Sequence, residues 1–152
     1  MKNKKGFTLI ELLVVIAIIG LLATLAVVAL QNARQKSRDA KRMSDMKQLQ
    51  TALDLYFADQ GAYPAPAVDP NELGVDSVVL CDTAAGFQAD DTGCTTTYMD
   101  RVPADPGTGA YMYSQTATDN YGITFSLEGP TGGLAAGDYE ASPAGIQPVV
   151  AP

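Results

Sequence analysis

The chain has 152 residues, with 10 Lys and Arg against 17 Asp and Glu, a formal net charge of −7, and neither histidine nor tryptophan. Without histidine, Ser–His and Cys–His nucleophilic sites and the usual zinc ligand sets are excluded. The acid excess argues against nucleic acid as a partner, and the length suits one modest domain plus an extension.

Residues 1–6 form a short leader containing Lys2, Lys4 and Lys5. From Phe7 to Leu30 nearly every side chain is Leu, Ile, Val or Ala, and Glu11 is the only charge. A helix crossing a bilayer core needs about 20 apolar residues. A helix suits the stretch because it satisfies its backbone groups internally. A carboxylate four residues into such a span is expensive, and residues of this kind usually have a functional partner.

The string Lys4-Lys5-Gly6-Phe7-Thr8-Leu9-Ile10-Glu11 resembles the class III signal of type IV pilins and of the pseudopilins of type II secretion. The resemblance implies that a prepilin peptidase cuts between Gly6 and Phe7 and that Phe7 becomes the N-methylated first residue. It also implies that Glu11, with Thr8 beside it in the motif, serves assembly. Losing Lys2, Lys4 and Lys5 takes the net charge from −7 to −10. Physically, a processed Phe7 carries a protonated amine at the membrane end of the helix, and a carboxylate one turn along neutralises it. In a low dielectric a bare charge costs several kcal/mol, so the pairing is strongly favoured. If the amine belongs to a neighbouring subunit, Glu11 sets the axial stagger between helices.

Two rival readings share this stretch. A secretory signal peptide would use the basic start and Val27-Val28-Ala29 as its cleavage site, but its apolar run is about 7–15 residues and has no use for Glu11. An ordinary anchor would be oriented by charge. Arg34, Lys36, Arg38, Lys41, Arg42 and Lys47 follow the span, so counting Lys and Arg alone would place the C-terminal side in the cytoplasm. The processing motif and the cysteines at 81 and 94 argue for the opposite orientation.

No proline precedes Pro64, and Gly20 is the only glycine between Phe7 and Gln60. One helix from Phe7 to about Gln60 is expected, about 80 Å long. The proline that many pilins place within this helix is absent, with Val27, Val28 and Ala29 in its neighbourhood. The resemblance therefore does not carry local unwinding on assembly to this chain. In the second half Met43, Met46, Leu49, Leu53, Tyr56 and Phe57 recur every three or four residues and form one apolar side. Lys41, Asp45, Lys47, Gln48 and Asp59 are expected on the polar side, and the stripe is expected to cover a sheet. The six bases between Arg34 and Lys47 are expected to face the acidic heads of neighbouring copies, or anionic lipid.

Gly61 and Pro64 end the helix. Residues 64–108 are rich in Pro, Gly, Asp and Thr and are expected to be mostly irregular, with a short strand or turn within 75–80. Cys81 and Cys94 bracket a loop and would join outside the cytoplasm; two free buried thiols are the alternative. The stretch from Met99, DRVPADPGTGAYMYS, is similar to the approach to the sheet in major pseudopilins, with Pro103, Asp105 and Pro106 forming a rigid turn. Residues 110–115 and 120–127 read as strands. Tyr121, Ile123, Phe125 and Leu127 alternate with Gly122, Thr124 and Ser126, which implies one covered face. A third strand includes Asp138, Tyr139 and Glu140, and the tail is expected to be mobile.

The resemblance also implies calcium as a candidate ion, because major pseudopilins hold one in the loop after the sheet. Glu128, Asp138 and Glu140 are the candidate ligands, but the dense Asp/Gly loop of the family is missing, so no metal or other cofactor is expected.

The sequence thus predicts an α+β pilin fold, with a long N-terminal helix packed on a small antiparallel sheet through an irregular connecting loop. Its parts are a leader (1–6), a transmembrane or filament-core helix (7–30), an amphipathic helix (31–60), an irregular loop with the cysteine pair (61–108), an antiparallel sheet (109–141) and a flexible tail (142–152). A single-pass protein of the cytoplasmic membrane is expected, its head outside the cytoplasm, with no catalytic residues. It would polymerise into a pilus or pseudopilus filament. Its partners would be copies of itself, prepilin peptidase, an inner-membrane assembly platform and membrane lipid. A non-polymerising, membrane-anchored binding domain is the alternative.

Overall fold

A computed structural model of the chain describes residues 7–66, 70–75 and 77–149. The leader, including Gly6 and its lysines, and the last three residues lie outside the described residues. The chain forms two compact units, Met1–Gln35 and Lys36–Pro152.

Helix α1 runs Leu9–Gln60, uninterrupted at Gly20. In its share of the first unit the large apolar side chains from Phe7 to Leu30 are 45–83% exposed. The one polar group in the middle of this stretch is satisfied locally, because the Thr24 hydroxyl donates to Leu21 O at 2.8 Å. The helix ends at Gly61, whose φ of +74° only glycine adopts without strain, and whose N–H donates to Phe57 O at 2.8 Å.

In the second unit the helix lies on a five-stranded antiparallel sheet of order β1-β5-β6-β7-β8. The strands are β1 (Asn71–Leu73), β5 (Tyr111–Ala117), β6 (Asn120–Leu127), β7 (Gly137–Ser142) and β8 (Gly145–Pro148). The apolar stripe of the helix supplies buried Met46, Leu49, Leu53 and Tyr56; the sheet answers with Tyr111, Tyr113, Tyr121, Ile123, Phe125 and Leu127. Burying each such side chain contributes about 1.5–3 kcal/mol, so this stripe rather than helix propensity holds the head together. Tyr63, just past the helix end, stacks edge-on against Tyr121 with ring centroids 4.6 Å apart.

One expectation is extended and one corrected. Among the described residues, the mostly irregular stretch 61–108 holds four short strands: β1, which pairs with β5, and a separate three-stranded sheet of β2 (Val79–Cys81), β3 (Phe87–Gln88) and β4 (Thr97–Met99), ordered β3-β2-β4. Strands of two or three residues are too short to show a period in sequence, and β1 pairs with a strand some forty residues away. The tail after Ser142 forms β8, which folds back on β7 through Pro143 and Ala144, with Ser142 opposite Gly145. Gly145, at φ +114°, supplies the backbone freedom this tight reversal needs.

Candidate assembly site

At the N-terminal end of the helix, Thr8 precedes the first helical residue and Glu11 lies in the first turn. The Thr8 N–H donates to Glu11 Oε2 at 2.8 Å and the Thr8 hydroxyl donates to the same oxygen at 2.6 Å. The Glu11 N–H returns a longer bond of 3.3 Å to Thr8 Oγ1. This is a capping box, in which residues three apart satisfy each other's unpaired groups at a helix start. The Thr-x-x-Glu spacing was legible in the sequence as a cap and adds a role to Glu11 that the charge argument alone missed. Both Thr8 bonds land on Oε2, so the cap leaves Oε1 as a second acceptor. Phe7, Ile10, Val14 and Val15 line a shallow apolar groove with Glu11.

A second constellation ties the helix to the turn before β5 and the end of β6. Arg42, expected among the outward-facing bases, is 3% exposed. Its Nε and Nη2 donate to Asp105 Oδ2 and Oδ1 at 2.7 and 2.9 Å. Its Nη1 donates to Asp39 Oδ1 at 2.7 Å and to Glu128 Oε1 at 2.8 Å. Arg38 pairs bidentately with Glu128. Asp39 also accepts the backbone N–H groups of Glu128 and Gly129 at 3.0 and 2.9 Å. Of the six bases after the span, two are therefore engaged within the head. Asp45, expected on the polar side, is instead buried and accepts the Tyr111 hydroxyl at 3.0 Å. In the sequence these residues read as solvated charge because, apart from Arg42 and Asp39 three residues apart, their partners lie 63 to 90 positions away in the chain.

The electrostatics follow the contacts. The bonds from Arg38 and then Arg42 hold the Glu128 carboxyl down at about 2. Burial pushes the Asp105 carboxyl up, but the Arg42 bonds and the Gly107 N–H together carry it below the usual range. Asp45 goes the other way, raised by burial against the opposing Tyr111 bond.

The three calcium candidates are not brought together. Glu128 faces the two arginines, Asp138 accepts the Ser126 hydroxyl at 2.5 Å, and Glu140 stands opposite Thr124 on the outer face of the sheet. Among the described residues no group of three or more His, Cys, Asp or Glu side chains could hold a metal. Cys81 and Cys94 form a disulfide, with Cα atoms 5.7 Å apart.

A helix that opens on a processing motif, carries an uncovered apolar surface and ends on an α+β head defines a subunit of the type IV pilin and pseudopilin class. Residues 1–27 match the prokaryotic N-terminal methylation motif, and residues 29–141 match the family described as type II secretion system (T2SS), protein G. The type II secretion system core protein G of Aeromonas hydrophila is 38% identical over 113 residues, 73% of each chain. That of Escherichia coli K12 is 37% identical over 110 residues, covering 72% of this chain and 71% of the relative. The Klebsiella pneumoniae protein is 34% identical over 134 residues, covering 87% and 89%. No solved structure matches the chain. The chain belongs to the type II secretion system protein G family.

Proposed function

We propose that this chain is the structural subunit of a type II secretion pseudopilus. It is made as a membrane-inserted precursor and cut between Gly6 and Phe7 by a prepilin peptidase. Phe7 is then N-methylated, and the subunit is polymerised on an inner-membrane assembly platform. The observation that carries this reading is the bare apolar surface from Phe7 to Leu30 with one acid at its start. Such a surface cannot remain in water, so it sits in lipid before assembly and against other copies afterwards. Identical subunits packed in a staggered head-to-tail manner give an open helical filament rather than a closed ring.

Glu11 specifies the stagger. Thr8 holds the carboxylate through Oε2, which fixes its direction. Oε1 accepts the methylated amine of a neighbouring Phe7, and the groove beside Glu11 receives the neighbour's apolar surface. Neutralising two charges in a low dielectric rewards one axial register over all others. The role is mechanical rather than catalytic.

The head lies outside the cytoplasm. The disulfide supports this, because such bonds persist in oxidising compartments. The base count that opposes it loses force, since Arg42 and Arg38 are tied to carboxylates of the head. The test is the intact mass of the mature protein from a host carrying the secretion machinery. Loss of residues 1–6 with one added methyl is expected; an uncut N-terminus overturns the reading.

A further inference from the structure

We propose that Arg42 does for this head what a divalent cation does for a carboxylate-lined loop: it gathers Asp39, Asp105 and Glu128 onto one cation, fixes the chain leaving β6, and makes folding and filament assembly independent of calcium. The assembly half of this inference rests on the pseudopilus reading; the folding half does not.

The loop after β6 is poorly suited to calcium, a hard ion that takes six to eight oxygen ligands, several of them carboxylate. Residues 129–137, GPTGGLAAG, contain no side-chain carboxylate. Glu128 at the start of the loop is committed to Arg38 and Arg42, and Asp138 at its end to Ser126. What holds the loop comes from the helix instead. The first two N–H groups after Leu127 donate to the two oxygens of Asp39, which is fully buried. At the tip, Thr131 and Leu134 exchange backbone bonds of 2.9 and 3.0 Å.

Three carboxylates drawn this close repel one another unless a cation sits among them. Arg42 provides it. Its guanidinium has a planar fork of donors that can serve several carboxylates at fixed angles. Nε and Nη2 take Asp105, and Nη1 takes Asp39 and Glu128, all between 2.7 and 2.9 Å. The three acids come from the helix, the turn before β5 and the end of β6. One side chain therefore locks its own helix to two remote segments, as a bound ion would, without depending on ion supply. Gly107 makes room for the fork: a Cβ there would lie 2.7 Å from Arg42 Nη2.

The test uses the full chain in detergent, with thermal unfolding followed by circular dichroism in EDTA and in millimolar calcium chloride. The two melting temperatures are expected to agree within about 1 °C, because a ligand that does not bind the native state does not stabilise it. A rise of several degrees with calcium overturns the inference. Arg42→Met, which removes the cation and leaves the Asp39 and Asp105 carboxylates buried, is expected to lower the melting temperature by more than about 10 °C. If that variant does not fold, Arg42→Lys carries the test. It keeps the charge but cannot span three carboxylates, so it must melt below the wild type; a wild-type melting temperature overturns the inference. Filament yield is then scored by electron microscopy in a host carrying the secretion machinery, in calcium-depleted and in calcium-supplemented medium. Equal yields are expected. Filaments only with calcium overturn the inference, whereas filaments in neither condition overturn the pseudopilus reading and leave the melting result standing.

Discussion

The disulfide makes a prediction whose size follows from the chain itself. Cys81 sits at the end of β2, in the centre of the three-stranded sheet, and Cys94 lies 13 residues on, between β3 and β4. Joining them removes loop-closure freedom from the unfolded chain. For a loop of this length the chain-entropy relation gives about 3 kcal/mol at 25 °C. In a head of this size that corresponds to a fall in melting temperature of about 10–20 °C when the bond is lost. Two measurements separate the entropic share from packing. Reduced wild-type protein keeps both sulfurs, so its drop reports the cross-link alone. Cys81→Ala with Cys94→Ala also empties a fully buried site and removes the 3.3 Å contact from Gln88 Nε2 to Cys81 Sγ, so it should fall further. Both are read by circular dichroism on the full chain in detergent. A drop on reduction below about 1 kcal/mol would refute the entropic argument, because it would mean that the unfolded chain is no freer without the bond.

Glu11→Gln keeps an acceptor for Thr8 but removes the charge, so it should leave the helix and the processing of Gly6–Phe7 intact while reducing filament yield at least tenfold, scored by electron microscopy; a normal filament yield would show that the Glu11 charge does not set the stagger. Leu53→Ala removes a fully buried side chain from the helix stripe and should destabilise the head by about 2–5 kcal/mol, measured by chemical unfolding. The pH dependence has a definite sign. Glu128 is held at about 2, below its ordinary 4.5, so its contribution is present above pH 4.5 and is lost as the pH falls from there towards 2. Asp105 acts in the same direction and Asp45 in the opposite one. Glu128→Gln should therefore melt lower than wild type at pH 7 and lose less on acidification between pH 4.5 and 3; parallel curves would contradict the assignment.

The sequence by itself determined the features whose physics is local. The apolar run, its solitary acid, the helix stripe ending at Gly61 and the alternation in β6 each depend on residues one to four positions apart. Each is present in the structure: Met46, Leu49 and Leu53 are buried together with Tyr121, Ile123 and Phe125. Only the tertiary structure decided which charges are solvated. Arg42 and Lys41 are neighbours of the same type in the sequence, yet one is buried among three carboxylates and the other is exposed. The difference comes from Asp105 and Glu128, brought to the helix by the turn before β5 and the end of β6. The short strand β1 was illegible for the same reason, whereas β8, which folds back on β7, was too short to show a period. A strand of three or four residues gains its stability from the ladder it joins, and β1 pairs with β5 some forty residues away. Contacts made across such separations leave no period in the chain, because folding, not local geometry, brings the partners together.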